Sequence, residues 1–193
     1  MNNPPYRLAH SGVTIDLLHP QLDRILLTDI AHHLALLCRF GGACDAFYSV
    51  AQHCCLVATL AERAGELPAV VQWAAVHDAP EYVLDDVGTP IKHLMRASGD
   101  ETYDRLHAIW DGAIAQRFGL RQFQARVKFY DTAALLIERR DNGPHGISDD
   151  EFLGRDSAPW RAAVGATPRI VPWVTSRAER NFLRLCARLE LAQ

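Results

Sequence analysis

The central helix of the fold is predicted by one segment, Ser49-Val-Ala-Gln-His-Cys-Cys-Leu-Val-Ala-Thr-Leu-Ala-Glu-Arg-Ala-Gly65. It begins with the S-x-x-Q form of a capping box, which marks a helix N-terminus, and it ends on a glycine suited to the C′ position. Between these signals an inward stripe recurs at helical spacing, made of Val50, Cys54, Val57, Ala58 and Ala61. His53 falls inside that stripe, so a polar ring is predicted to point into the core.

Helical patterns continue on both sides of this segment. They cover residues 28–38, 68–78, 100–118, 121–140 and about 176–190. Residues 142–172 are rich in glycine, proline and acidic residues and predict irregular structure, and residues 6–18 predict a short β-hairpin or an extended arm. With neither a repeat nor a linker, residues 1–193 predict one all-α domain whose motif-bearing core spans about 28–141.

The composition is that of an ordinary globular chain. Apolar residues make up 49% of the sequence and charged residues 22%, which excludes a disordered or membrane-spanning chain. A net charge of -3 argues against a surface that binds duplex nucleic acid. The five cysteines are odd in number and form no C-x-x-C pair, so reduced thiols are expected. Because the first residues also lack a signal-peptide pattern, we expect a cytoplasmic location.

Two further helices carry ligand-type residues on their inward faces. Asp78 extends the apolar line of Val71 and Ala74, with His77 beside it, and Asp131 lies within the stripe of the helix at 121–140. An unpaired buried carboxylate costs several kcal/mol or more, so each aspartate must pair, take a proton or bind a cation. A single core histidine or aspartate usually has a structural role. Their coincidence on three inward stripes instead favours a first-row divalent metal, because imidazole and carboxylate ligands suit such an ion.

The order H…HD…D and its surroundings extend this pattern. The motifs are Cys38-Arg-Phe-Gly-Gly42, Phe47-Tyr-Ser-Val-Ala-Gln-His53, His77-Asp-Ala-Pro-Glu81, Asp86-Val-Gly-Thr-Pro-Ile-Lys92, Val127-Lys-Phe-Tyr-Asp131 and Glu138-Arg-Arg-Asp141. Over residues 8–141 the chain resembles the HD-domain metal-dependent phosphohydrolases. The resemblance is to the bacterial and phage branch that includes 5′-deoxynucleotidases and phage dATP triphosphohydrolases.

The resemblance implies an all-α HD-domain bundle and a cytoplasmic enzyme that hydrolyses nucleotides. It implies one divalent transition metal (Mn, Co, Ni, Zn or Fe, with Mg as a further candidate), held by His53, His77, Asp78 and Asp131. A divalent ion activates water and polarises a phosphorus centre.

Other residues of the motifs take further roles by the same resemblance. Glu81 is the expected general acid or base, and Asp86 is a second candidate that would orient the nucleophile or the leaving group. Arg39 resembles the phosphate-clamping arginine of the family. Lys92, one of two lysines in the chain, is a second candidate cation, and Phe40 or Tyr48 could either stack on a base or pack in the core. The expected partner is a small nucleotide rather than duplex nucleic acid or a membrane. The resemblance and the apolar residues of the C-terminal helix also lead us to expect a homo-oligomer.

The sequence leaves the reaction open between alternatives. Hydrolysis of a deoxynucleoside 5′-monophosphate to nucleoside and phosphate is preferred, because Arg39 and Lys92 are the obvious phosphate-binding cations. The main alternative is a triphosphohydrolase that releases triphosphate from a deoxynucleoside triphosphate. A hydrolase of cyclic nucleotides or alarmones would need histidine ligands for a second metal, which are not evident. A non-catalytic helical module that binds a metal or a nucleotide is the remaining alternative.

Overall fold

The computed structural model describes residues 5–191, and nearly all of its regular structure is helical. A two-stranded antiparallel hairpin, β1 (Tyr6–Leu8) and β2 (Thr14–Asp16), precedes the helices. The helices are α1 (Leu27–Leu36), α2 (Val50–Arg63), α3 (Pro68–Val76), α4 (Glu81–Leu84), α5 (Thr89–Ala97), α6 (Thr102–Arg117), α7 (Gln124–Asn142), α8 (Asp149–Leu153), α9 (Ala158–Ala166) and α10 (Thr175–Arg188). The prediction of an all-α chain with a short hairpin is confirmed.

Helix α2 lies at the centre of the bundle and contacts α1, α3, α7 and α10. Its start is fixed by Ser49, whose hydroxyl oxygen accepts a hydrogen bond from the Gln52 backbone N–H at 3.2 Å. Its end is fixed by Gly65, which has a φ of 77° and is followed by a bond from Glu66 N to Ala61 O. Both ends therefore follow the capping signals of the sequence, and the inward stripe is buried as predicted.

Gln52 is used differently from the glutamine of a capping box. Its Nε2 donates to the Val171 carbonyl at 2.9 Å, and its Oε1 accepts from the Trp173 backbone N–H at 2.7 Å. These two bonds fasten the segment that leads into α10 against the central helix. The side chain is 4% exposed, so the pair of bonds satisfies an amide that would otherwise be costly to bury.

The N-terminal hairpin packs over the loop that follows α4. Arg7 donates to the Val83 carbonyl at 3.0 Å and to Asp85 Oδ1 at 2.7 Å. Leu17, just beyond β2, accepts a 3.0 Å bond from the indole N–H of the buried Trp110. The hairpin thus closes one end of the bundle and restrains the loop that carries Asp86.

The prediction that residues 142–172 are irregular is wrong in part, because this segment contains α8 and α9. Ser148 caps α8 by accepting a bond from the Glu151 backbone N–H at 3.2 Å. Pro159 lies in the first turn of α9, where a helix tolerates proline. The polar and proline residues that resembled a loop are therefore helix-start signals. Trp160 of α9 packs its ring against Phe129 of α7.

The C-terminal helix α10 uses its apolar face within the chain. Ala178, Phe182 and Cys186 are buried, and the helix packs on α1 and α2. Phe182 is therefore a core residue and offers no surface for self-association, so the homo-oligomer stays a prediction. Among residues 5–191, no helix combines the length and hydrophobicity that a membrane span requires.

The central position of α2 makes its cap a test of the fold. Ser49→Ala removes the acceptor for the Gln52 N–H and should cost about 1 kcal/mol of unfolding free energy. We expect Tm to fall by roughly 2–4 °C. Ser148→Ala removes the matching cap from the short, peripheral α8 and should lower Tm less. Equal losses in thermal unfolding would contradict a special role for α2.

Candidate metal centre

His53 occupies the innermost position of the site. It lies in the second turn of α2 and is completely buried. Its Nδ1 lies 2.6 Å from Glu138 Oε1, and because a carboxylate can only accept, Nδ1 donates. Its Nε2 lies 3.3 Å from Asp78 Oδ2 and 3.2 Å from Asp131 Oδ1. The ring therefore joins α2 to the other elements that carry the predicted ligands.

His77 and Asp78 follow directly after α3, which ends at Val76. The His77 Nδ1–H donates to the Ala74 carbonyl at 2.8 Å, so its Nε2 is directed away from the helix. That Nε2 lies 3.3 Å from Asp78 Oδ1 and 4.0 Å from Asp131 Oδ1. Pro80 is the N-cap of α4, so the turn between the two helices sets the positions of both ligands and of Glu81.

The predicted ligand set converges on one point. The ligand atoms of His53, His77 and Asp131 lie within 4.8 Å of one another, as do those of Cys54, His77 and Asp78. Within residues 5–191, the Nε2 atoms of His53 and His77 are buried without a hydrogen-bond partner. Two such nitrogens beside two carboxylates are the donor set that a first-row divalent ion prefers. The residues present therefore fit a metal ion, and the assignment of all four predicted ligands to one ion stays a prediction.

The charges of the predicted ligands and their neighbours shift one another's pKa values. Burial and the Arg39 guanidinium lower the pKa of His53, but Glu138 and Asp131 outweigh them and raise it to about 9. Burial raises the pKa of Asp131, but His53 and Lys128 outweigh it and hold that pKa well below its usual range. The pKa of Asp78 is likewise lowered, because His77 and His53 offset its burial. Both aspartates are thus carboxylates, the form that binds a cation.

Arg39 lies beside the ligands in the turn between α1 and α2, as the resemblance implied for a phosphate clamp. Its Nη1 lies 3.8 Å from Asp78 Oδ2, and its Nε donates to Glu138 Oε2 at 2.8 Å. Burial acts to lower the pKa of Arg39, but the charges of Glu138, Asp78 and Asp131 outweigh burial and raise that pKa above its usual value. The guanidinium therefore stays charged. It is 9% exposed, which leaves it an opening to solvent at the edge of the site.

Two residues of the site were missed by the sequence reasoning. Glu138 is fully buried and contacts both His53 and Arg39. It lies about two helical turns after Asp131, so the shared face of α7 was the signal that could have found it. Lys128 lies one turn before Asp131 and its Nζ donates to Asp131 Oδ2 at 2.6 Å, with most of the side chain exposed. Lys128 therefore places a cation on the solvent-exposed side of Asp131.

The predicted acid–base residues lie on the loop and short helix that follow the His-Asp pair. Glu81 is 4% exposed, and its Oε2 has no hydrogen-bond partner in the described part of the chain. Burial and the charges of Asp78 and Asp86 raise the pKa of Glu81 well above its usual range. Burial also raises the pKa of Asp86, although Arg39 acts against it. The charge of Lys92 acts to lower both pKa values, and its ammonium lies 4.9 Å from the ring centroid of Tyr103.

The two aromatic candidates differ in exposure. Phe40 is half-buried next to Arg39, whose Cζ lies 5.5 Å from its ring centroid, and its φ of 58° places it on a tight turn. Tyr48 is completely buried, so its ring has no face open to a base. Its expected stacking role is therefore not supported. Burial and Glu138 raise the pKa of Tyr48 well above its usual range, so its hydroxyl keeps its proton beside that carboxylate.

Comparison with known proteins places the chain in a family. No family model matches it. The uncharacterized protein RCAP_rcc00048 of Rhodobacter capsulatus is 40% identical over 139 residues, which cover 66% of this chain and 68% of that protein. The chain belongs to the family of that protein. The uncharacterized protein YfdR of Escherichia coli is 35% identical over 131 residues, covering 67% of this chain and 66% of YfdR.

A metal that binds this site should stabilise the folded protein. At a Mn²⁺ or Co²⁺ concentration about 100 times Kd, mass action adds about 2.7 kcal/mol to the unfolding free energy. We expect Tm to rise by roughly 5–10 °C for a chain of this size. Asp131→Asn should abolish this rise, because it removes one carboxylate from the ligand set.

The matched control is His19→Ala, in which an exposed imidazole paired with Asp16 is removed far from the site. This variant should keep the full metal-dependent rise in Tm. An Asp131→Asn protein that is stabilised as strongly as the wild type would show that the ion binds elsewhere.

Proposed function

We propose that this protein is a divalent-metal-dependent phosphohydrolase of the HD-domain type that acts on deoxynucleotides. The observation that carries the proposal is the convergence of His53, His77, Asp78 and Asp131 directly beside the buried guanidinium of Arg39. A cation site next to a planar guanidinium suits a phosphate group, which needs both metal coordination and bidentate hydrogen bonds. The sequence resemblance supports the same assignment.

Each side chain has a defined part in this proposal. A bound ion would act as a Lewis acid and would activate water toward phosphorus. His53, His77, Asp78 and Asp131 would hold that ion. The Nη atoms of Arg39 would bind the phosphate oxygens and stabilise the charge that develops on them, since its Nε is already held by Glu138. Lys92 and Lys128 would supply further positive charge.

Glu81 is the best placed group to move a proton. Burial and the charges of Asp78 and Asp86 raise its pKa and so favour its protonated form, and its Oε2 has no competing bond among residues 5–191. It can therefore donate a proton to the leaving oxygen. Asp86 has a raised pKa as well and lies close enough to Glu81 to share this work.

The number of phosphates removed depends on the cations at the site. The sequence favours a monophosphate substrate, because it identified two cations for binding phosphate, Arg39 and Lys92. Lys128, whose ammonium lies 2.6 Å from Asp131 Oδ2, brings a third cation to the ligands and favours the triphosphate alternative. The non-catalytic alternative has less support, because a purely structural metal site has no use for the proton held on Glu81.

A cytoplasmic location is part of the same proposal. All five cysteines are free thiols in the described structure, and reduced thiols suit a cytoplasmic enzyme. Self-association also remains part of the proposal, and sedimentation velocity of the full chain would test it.

Product identification tests the proposed reaction. The chelator-treated protein is incubated with each deoxynucleoside mono- and triphosphate in the presence of Mn²⁺, Co²⁺, Zn²⁺ or Mg²⁺. We expect chromatography to show a nucleoside with either orthophosphate or intact triphosphate, and we expect no product with Asp78→Ala. Unchanged turnover in Asp78→Ala would contradict the metal assignment. Metal-dependent folding without turnover of any nucleotide would favour the binding module instead.

Substitution of Glu81 tests its role as a proton donor. Glu81→Gln keeps the size of the side chain but cannot donate an acid proton, so kcat should fall by about 10²–10⁴-fold. The metal-dependent rise in Tm should persist, because Glu81 is outside the proposed ligand set. Glu101→Gln, at the exposed start of α6, is the matched control and should leave kcat unchanged. A similar kcat in the two variants would remove Glu81 from the mechanism.

A further inference from the structure

Glu138 makes two hydrogen bonds that link different parts of the site. Its Oε1 accepts from His53 Nδ1 at 2.6 Å, and its Oε2 accepts from Arg39 Nε at 2.8 Å. The side chain is completely buried. We propose that Glu138 is a positioning residue that fixes His53 for the metal and Arg39 for phosphate through a single carboxylate. The phosphate half of this inference rests on the proposed function, whereas the metal half can be tested without it.

The first bond selects the tautomer of His53. With Nδ1 donating to Glu138, the atom left to bind a metal is Nε2, which faces the point between Asp78 and Asp131 and would give up its proton when an ion binds. A neutral histidine without this partner could carry its proton on Nε2, where the two carboxylates would accept it. That tautomer cannot bind a metal through Nε2, so the carboxylate on the far side of the ring controls the ligand.

The second bond fixes the plane of Arg39. Its backbone N–H donates to the Tyr48 carbonyl at 2.9 Å, and its Nε is tied to Glu138 at the other end of the side chain. This arrangement leaves the Nη atoms facing Asp78 and the mouth of the site. Without Glu138 the guanidinium would be free to close on Asp78 or Asp131, which would place it on the metal ligands.

The chemistry of the two partners requires a carboxylate at this position. Both His53 Nδ1 and Arg39 Nε are N–H donors, so the residue between them must accept twice. A glutamine offers one accepting oxygen and one donating NH₂, so it can satisfy either partner but not both. An aspartate retains two accepting oxygens but is shorter by one methylene. A comparison of glutamate, glutamine and aspartate at position 138 therefore distinguishes the loss of an accepting oxygen from the loss of side-chain length.

The direct test compares Co²⁺ binding to Glu138→Gln and to the wild type by calorimetry. We expect Glu138→Gln to weaken Co²⁺ binding by about 10–100-fold, the range typical of lost partners behind metal ligands. The affinity of the Co²⁺-loaded protein for inorganic phosphate should fall as well. Glu138→Asp should recover part of the Co²⁺ affinity. The control is Glu151→Gln, in which an exposed carboxylate of α8 is changed in the same way, and it should behave as wild type.

The outcomes separate this inference from the proposed function. A wild-type protein that binds no Co²⁺ would overturn the metal centre and with it the proposed function. Wild-type Co²⁺ affinity in Glu138→Gln would overturn the positioning role while leaving the metal centre intact. Loss of Co²⁺ affinity with unchanged phosphate affinity would confine the role to His53 and contradict the link to Arg39.

A second measurement needs no variant and covers the case in which Glu138→Gln does not fold. Wild-type protein with ¹⁵N-labelled histidine is loaded with Zn²⁺ and examined by NMR. We expect His53 to show a protonated, strongly hydrogen-bonded Nδ1. A His53 ring that is protonated on Nε2, or whose Nδ1 proton exchanges freely with water, would overturn the inference.

Discussion

The structure depends on the burial of several charges at one point among α2, α3 and α7. The Asp78 and Asp131 carboxylates lie against the fully buried ring of His53, and Glu138 lies behind that ring with no exposure. Such a group of carboxylates is costly in a protein interior unless cations face it. Arg39, Lys128 and the protonated His53 supply that positive charge, and a divalent ion between the ligands would take the place of the Nε2 proton of His53. The same electrostatic demand therefore accounts for the folded arrangement and for the proposed chemistry.

Helix ends determine where these charges meet. The Ser49 cap places His53 within the second turn of α2, and because α3 ends at Val76, His77 and Asp78 lie in the turn that follows it. Pro80 starts the next helix and so brings Glu81 to the same side. The ligands come from rigid helices and a short turn. This favours a site whose geometry is set before any ligand binds.

Much of this arrangement could be predicted from the sequence, because periodic signals report local structure. The inward positions of His53 and Asp131 followed from their helical stripes. The spacing of apolar residues along a helix gives less information about which side chains on different helices form hydrogen bonds. For this reason the contacts of Glu138 with His53 and Arg39 were missed. Tyr48 illustrates the opposite error, because a motif position next to the site resembled a ligand contact and is a core residue. The helices within residues 142–172 were missed because Ser148 and Pro159 serve both loops and helix starts.

The proposed chemistry requires one divalent ion held by two imidazoles and two carboxylates beside Arg39. Anomalous diffraction at the zinc absorption edge, from crystals of the full chain grown with Zn²⁺, tests it most directly. We expect a peak about 2.0–2.2 Å from His53 Nε2, His77 Nε2 and one oxygen each of Asp78 and Asp131. Zinc bound elsewhere, with His53 Nε2 hydrogen-bonded to Asp131 and no peak between them, would contradict it.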